Sequence, residues 1–283
     1  VKAESSAEAL NTLLKKLINS NIDIFLFEPL LNQCADKSKI KGVFSRYDDI
    51  KGKIDFLISI GGDGTFLETV TLVRDSGIPV MGINTGRLGF LSGISNEEIS
   101  SAIDSLLSSK YSLEKRALLE LDIQGDYFKD CKYALNEITV QKTDSSSMIT
   151  IQAAVNNKFL NSYWADGLIV ATPTGSTAYS LSCGGPIVMP DSENFVVTPI
   201  APHNLNIRPV IISSNDTVTL DVEGQDFGFL ISLDSHSENV QSPVKISIKK
   251  ANFYFSRNIG ESNRKYGISK WYNFTIWQFV ITH

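Results

Sequence analysis

The sequence predicts an α/β N-terminal domain with a largely parallel sheet, followed by a β-rich, sandwich-like C-terminal domain. Three observations predict it. Up to about residue 112, amphipathic helical patterns alternate with short apolar runs. Beyond that point eight short β-prone runs follow one another, most separated by Gly, Asn, Asp, Ser or Pro. At 283 residues, the chain is also long for a single hydrophobic core. The expected division is 1–112 and 113–258, with a C-terminal tail, 259–283, packing back on the N-terminal domain.

The helical face comes first: Leu10, Leu13, Leu14, Leu17 and Ile18 repeat at i, i+3, i+4, i+7 and i+8. The chain opens on this helix, whereas an α/β domain of this kind usually opens on a strand. Ile22 to Phe27 reads as a short strand, and Phe56 to Ile60 as another that stops at Gly61 and Gly62. Phe66, Val70 and Val73 then share one side of a helix expected to end near Gly77. Pro79 to Ile83 reads as a strand. Ser95 with Glu98 forms a capping box ahead of Ile99, Ile103, Leu106 and Leu107, which marks a further helix. The later strands are expected at Leu118 to Ile123, Leu135 to Val140, Ile149 to Val155, Leu168 to Ala171, Val210 to Ile212, Val218 to Val222, Phe227 to Ile231 and Val244 to Ile248. No internal repeat is visible.

With 42% hydrophobic and 20% charged residues, the chain has material for a buried core and no disorder signature. A net charge of −5 argues against nucleic acid or an acidic membrane surface as the main partner. Cys34, Cys131 and Cys183 are too few for a disulfide framework, and no two stand at metal-ligand spacing. Val1 to Ala9 is polar and mixed in charge, without the apolar stretch of a secretory signal. No apolar run is long enough to span a bilayer. A soluble cytoplasmic protein with reduced thiols is expected.

Four stretches carry chemistry. Gly61-Gly62-Asp63-Gly64-Thr65 joins an apolar strand to an amphipathic helix, where backbone N–H groups can approach anionic oxygens at a helix start. A carboxylate in a phosphate cradle needs a reason: accepting a proton from an attacking hydroxyl, or holding Mg²⁺. The plain alternative is an Asp-Gly turn. Neither the Gly-Lys-Ser/Thr ending of a phosphate loop nor the Gly-x-Gly-x-x-Gly fingerprint is present. Next, Asn84-Thr85-Gly86-Arg87-Leu88-Gly89-Phe90-Leu91 follows the neighbouring strand, so both loops are expected at the carboxyl end of one parallel sheet. Arg87 either touches phosphate there or is solvated. Third, Asn136-Glu137 lies within a predicted strand. Asn offers donor and acceptor to an adenine edge and Glu accepts from ribose hydroxyls, although two polar residues in a strand also suit a sheet's wet face. Fourth, Asp166 to Pro186 runs from an apolar strand into a turn dense in small and hydroxylated residues, then into a short helix near Ser176. Hydroxyl and backbone donors at such a helix start suit a ligand's polar edges, and Tyr179 offers a ring for a base; the plain alternative is a Ser/Thr-capped turn.

Taken in order, these stretches, with Pro199 to Pro209, resemble the NAD kinase series; the glycine loop alone specifies only a superfamily shared with lipid kinases and phosphofructokinases. The resemblance spans about Phe56 to Gln225. It implies a kinase that phosphorylates the 2′-hydroxyl of NAD's adenosine ribose with ATP, NAD lying between the two domains. Asp63 matches the proton acceptor, and Gly61, Gly62 and Thr65 the phosphate loop. Gly64, Asn136 and Glu137 match substrate contacts, as do Asp166 and the run Thr177, Ala178, Tyr179, Ser180, Leu181 and Ser182. Trp164, Ala201 and Gln225 align with further contacts. Gln225 sits in what looks like an Asp-Gly-Gln element in which Glu223 replaces the aspartate. The resemblance further implies homodimers or homotetramers. Magnesium is expected to arrive with ATP, because the sequence offers no dedicated cage. The tail from about Ile259, with Trp271 and Trp277, departs from the family pattern. The competing functions are a lipid kinase of the same superfamily and a non-catalytic NAD-binding regulator.

Overall fold

A computed structural model describes residues 2–18, 20, 22–38, 40–86, 89–143, 148–223 and 228–259. The chain forms two compact units, Val1–Glu114 with Ser256–His283, and Lys115–Phe255.

The first unit alternates helix and strand. Its elements are α1 (Lys2–Ile18), β1 (Ile24–Phe27), β2 (Ile40–Phe44), α2 (Tyr47–Ile50), β3 (Leu57–Ile60), α3 (Asp63–Val73), β4 (Val80–Ile83) and α4 (Ile99–Leu107). The pairings of β1 with β2, of β3 with β4, and of Val80 with Arg257 from the unit's second segment are parallel. The predicted leucine face of α1 is the buried one. Leu10, Leu13, Leu14 and Leu17 join Met81, Ile83, Ile99 and Ile103 in one core. Burying each such side chain contributes about 1.5–3 kcal/mol. The capping box of Ser95 and Glu98 is present, and a single 3₁₀ turn intervenes before α4.

One boundary differs. The helix expected to run toward Gly77 stops at Val73, because Arg74 turns to φ 41° and leaves helical geometry.

The second unit holds, wholly or for most of their length, β5 (Leu113–Ile123), β6 (Tyr133–Ala134), β7 (Glu137–Lys142), β8 (Ile149–Val155), β9 (Lys158–Ala165), β10 (Gly167–Ala171), α5 (Tyr179–Ser182), β11 (Asn194–Ile200), β12 (Val210–Ser213), β13 (Val218–Glu223), β14 (Phe229–Leu233), β15 (His236–Val240) and β16 (Val244–Asn258). One antiparallel sheet has the order β12-β11-β10-β7-β14-β15. In the other, β16, β13, β8 and β9 follow one another, and β5 pairs β16 and β6. Alternate residues of both sheets meet in one core: Ile138, Val140, Leu168, Val170, Phe229 and Ile231 from the first, with Ile151, Tyr163, Leu220 and Ile246 among those from the second. Two sheets sharing their inner faces make the predicted sandwich.

Strands β2, β6, β9, β11 and β15 are absent from the sequence reading, and for the last three a cause is visible. β15 reads His-Ser-Glu-Asn-Val, polar enough to pass for a loop, and its partner β14 supplies the order. β11 carries Pro199, normally a strand breaker. Its register with β12 ends at Val197, so Pro199 has a partner only in β10 and sits at an edge, where proline is tolerated. β9 has exposed Phe159 and Trp164, which blur the alternation. The strand read as Phe227 to Ile231 begins at Phe229, and Phe227 lies outside the described residues. No helix among the described residues is long and apolar enough to cross a membrane.

Candidate active site

In the first unit, the glycine loop leaves β3 and enters α3 with Asp63 as the first helical residue. Gly61 remains tied to the sheet through its N–H on the Ile83 carbonyl at 2.9 Å. Phe66, Thr69, Val70 and Val73 are buried and fix the helix on the sheet, while Gly62, Gly64 and Thr65 stay exposed at its start. A helix start leaves its first backbone donors without intrahelical acceptors and carries partial positive charge, which suits phosphate oxygens.

The Asp63 side chain turns to the loop that follows β4. Its Oδ2 accepts the Phe90 N–H at 2.8 Å, and Oδ1 accepts those of Leu91 and Ser92, each at 3.0 Å. The loop itself is anchored. Asn84 N–H donates to the Ile94 carbonyl at 2.7 Å, Ile83 and Ile94 form a parallel bridge, and Asn84 Oδ1 accepts from Gly86 N–H at 2.7 Å. The two loops expected at one end of the parallel sheet therefore meet through Asp63. Arg87 and Leu88 lie outside the described residues. A carboxylate has about four acceptor positions; among the described residues three are filled, and the one left on Oδ2 can take a proton donor. Gly89 makes the arrangement possible, since a Cβ there would overlap the Asp63 carboxylate.

In the second unit, Asn136 immediately precedes β7, and Glu137 opens it. The sequence reading had both inside the strand. The difference arises because the N–H groups of Leu135, Asn136 and Glu137 are taken by the Asp234 carboxylate at 2.7, 2.8 and 3.0 Å rather than by a neighbouring strand. The backbone N–H groups of Tyr179 and Ser180 act to lower the proton affinity of the Glu137 carboxyl. Its Oε2 is buried with no hydrogen-bond partner among the described residues. Burial pushes the Glu137 carboxyl up to about 7, and the nearby Asp234 charge adds to the rise.

All five residues of β10 are buried. Leu168 and Val170 face the sandwich core, while Ile169 and Ala171 pack with Val188, Val196 and Ile200. This two-sided cover explains the unbroken apolar run. The turn after it is a 3₁₀ segment, Gly175–Thr177, with α5 beginning only at Tyr179, because Ala178 leaves helical geometry at φ −96°, ψ −132°. Most of its hydroxyls hold the turn together. Thr172 Oγ1 donates to the Leu135 carbonyl at 2.6 Å and Ser176 Oγ to the Pro173 carbonyl at 2.7 Å. Ser180 and Thr198 share a 2.8 Å hydrogen bond, and Thr177 Oγ1 donates to the Thr174 carbonyl at 3.3 Å. The sequence reading offered those hydroxyls to a ligand. What the turn presents outward is Tyr179, 38% exposed, whose hydroxyl accepts from Gln141 Nε2 at 3.0 Å, together with exposed Ser182; Ala178 and Leu181 are half-buried.

Asp166 pairs with Lys142 at 2.6 Å. Trp164 is exposed and tilts over the His203 ring at 4.2 Å. Ala201 is exposed at φ 42°, and Gln225 lies outside the described residues. Asp234, which the sequence reading missed, stands in a short Asp-Ser link between β14 and β15. The available signal was an acidic residue in a tight hairpin turn, too common to single out.

The second unit gives one direct prediction. A Cβ on Gly175 would land on the Asn136 carbonyl, where the turn presses against the chain entering β7. Gly175→Ala is expected to cost about 1–3 kcal/mol through overpacking and to lower the thermal midpoint by scanning calorimetry. An unchanged midpoint would show that the turn has room.

Among the described residues, no three or more His, Cys, Asp or Glu side chains group so as to hold a metal ion.

The ATP-NAD kinase N-terminal domain family matches residues 29–111, and the ATP-NAD kinase C-terminal domain family matches residues 135–257. The NAD kinase of Cytophaga hutchinsonii is 53% identical over 202 residues, 71% of this chain and 69% of that protein. That of Flavobacterium psychrophilum is 45% identical over 88% of this chain and 86% of its own. Among solved structures, yeast NADH kinase complexed with NADH superimposes with a TM-score of 0.82 at 25% identity, covering 92% of this chain and 81% of that one. An NAD kinase from Archaeoglobus fulgidus in complex with ATP gives 0.70 at 26% identity, covering 90% and 89%. With both family domains matched in order and relatives alike over most of their length, this chain belongs to the NAD kinase family.

Proposed function

We propose that this chain is an ATP-dependent NAD kinase in which Asp63 accepts the proton of the adenosine 2′-hydroxyl. The 2′-oxygen attacks the γ-phosphorus of ATP, a new O–P bond forms, the bond to the β-phosphate bridging oxygen breaks, and ADP leaves with NADP as product. The observation that carries the assignment of Asp63 is its fixed carboxylate, held by three backbone donors with one acceptor position left on Oδ2. Such a base supplies about 10²–10⁴-fold; positioning and charge stabilisation supply the rest.

The exposed start of α3, with Gly62, Gly64 and Thr65, and the buried Gly61 before it form the proposed phosphate loop. Asn136 and Glu137 read the nucleoside, Glu137 through the buried Oε2, which needs a hydroxyl donor. Tyr179 offers its exposed ring to a base, and its neighbours from Thr177 to Ser182 offer backbone and side-chain contacts. Asp166, already paired with Lys142, and Trp164, Ala201 and Gln225 complete the proposed contacts. A divalent cation carried in by the triphosphate is proposed to offset its charge. A cytoplasmic homodimer or homotetramer is the proposed working form.

Purified protein with ATP, Mg²⁺ and NAD is expected to form NADP, read by a coupled NADP-specific dehydrogenase. Diacylglycerol or sphingoid base in vesicles should accept no phosphate. Crossing ATP and polyphosphate with NAD and NADH defines donor and acceptor. Failure to phosphorylate either nucleotide from either donor would remove the kinase reading.

A further inference from the structure

Asn136 and Glu137 carry the proposed nucleoside contacts, yet neither is placed by an ordinary strand ladder. β7 begins at Glu137, and the residue that orders the approach to it is Asp234, at φ 52° after β14. Its Oδ2 accepts the Leu135 N–H at 2.7 Å. Its Oδ1 accepts the N–H groups of Asn136 and Glu137 at 2.8 and 3.0 Å, and its own N–H donates to the Glu137 carbonyl at 3.1 Å. Four hydrogen bonds thus tie one turn residue to three consecutive residues. The opposite side of the same segment is held by Thr172, whose N–H donates to the Asn136 carbonyl at 2.8 Å and whose hydroxyl donates to that of Leu135 at 2.6 Å. Hydrogen bonds to an ionised acceptor are worth roughly twice neutral ones, so the carboxylate is the stronger of the two holds.

We propose that Asp234 is the positioning residue for NAD recognition: its carboxylate fixes the main chain of Leu135–Glu137, and thereby where the Asn136 and Glu137 side chains meet the nucleoside. The proposal rests on the reading of Asn136 and Glu137 as substrate contacts. Asp234 takes no part in phosphoryl transfer, which belongs to Asp63.

The charge of Asp234 has a second effect. The titratable groups around Glu137 are Asp234 from the β14–β15 turn and Tyr179 and Cys183 from the α5 segment; His236 on β15 stands near Asp234. Burial pushes Asp234 up to about 6, opposed by its three N–H donors, and Glu137 up to about 7. A Glu137 that must accept from a ribose hydroxyl works when ionised. kcat/KM for NAD is therefore expected to rise with pH through about 7. Asp234→Asn removes a like charge, so that inflection moves to lower pH.

The test is steady-state kinetics of Asp234→Asn beside Asn136→Ala and Glu137→Gln. Asp234→Asn is expected to raise KM for NAD about tenfold or more, with a much smaller fall in kcat and little change in KM for ATP, as loss of ground-state positioning requires. A residue that only stabilised the fold would lower kcat in step with the folded fraction and leave the pH inflection in place; that result overturns the proposal. If Asn136→Ala and Glu137→Gln raise KM for NAD but Asp234→Asn does not, Asp234 is no positioning residue, whereas the contact reading stands. If neither contact variant changes KM for NAD, the contact reading itself fails. Should Asp234→Asn not fold, amide hydrogen exchange of the parent protein decides. Leu135, Asn136 and Glu137 should exchange about a hundredfold or more slower than unprotected amides, and free exchange at these three overturns the clamp.

Discussion

Asp63→Asn is expected to lower kcat by about 10²–10⁴-fold while KM for NAD stays close to that of the parent enzyme. The asparagine keeps the size of the side chain and removes the proton acceptor. It also disturbs the cradle. The carboxylate accepts three N–H groups, from Phe90, Leu91 and Ser92, and an amide can accept only through its oxygen. Its NH₂ would face a donor, leaving one N–H unsatisfied at a cost of about 1–3 kcal/mol. The two effects separate cleanly. Kinetics measured well below the thermal midpoint report the chemistry, and a melting curve reports the cradle. A variant that is merely less stable, with parental kcat in the cold, would take Asp63 out of the mechanism.

Gly89→Ala is expected to come close to that loss without touching an ionisable group. The added methyl overlaps the Asp63 carboxylate, so the carboxylate or the loop must move. A displacement near 1 Å costs on the order of 10²-fold in rate. The decisive measurement is a double-mutant cycle on kcat. In an Asp63→Ala background the methyl meets no carboxylate, so Gly89→Ala should cost little there. Equal losses in both backgrounds would mean that Gly89 acts on some other part of the enzyme.

What could be read in advance was what depends on neighbours in sequence. The leucine face of α1, the capping box at Ser95, the apolar run of β10 and the meeting of the two loops after β3 and β4 are written in local periodicity, or in the general behaviour of parallel strands. The position of Asp63 at a helix start belongs to this class, since a glycine loop between strand and helix is a short-range signal. Features set by distant partners were not legible. β15 looks polar and becomes a strand because β14 is beside it. Asn136 stops short of β7 because a side chain from another hairpin takes its N–H. The hydroxyls of Thr172, Ser176 and Ser180 looked available to a ligand, and their acceptors at Leu135, Pro173 and Thr198 could be known only from the folded chain. Gln225 lies outside the described residues, and its element remains as the sequence reading left it.

The clamp from Asp234 spans 97 to 99 residues of sequence. During synthesis the stretch from Leu135 to Glu137 leaves the ribosome long before the carboxylate that orders it, and at typical elongation speeds the interval is about 5–20 s. Throughout that time β7 also lacks β14, so its apolar residues have one unpartnered strand edge. On the proposed role of Asn136 and Glu137, nascent chains released before the β14–β15 hairpin should be unable to retain NAD.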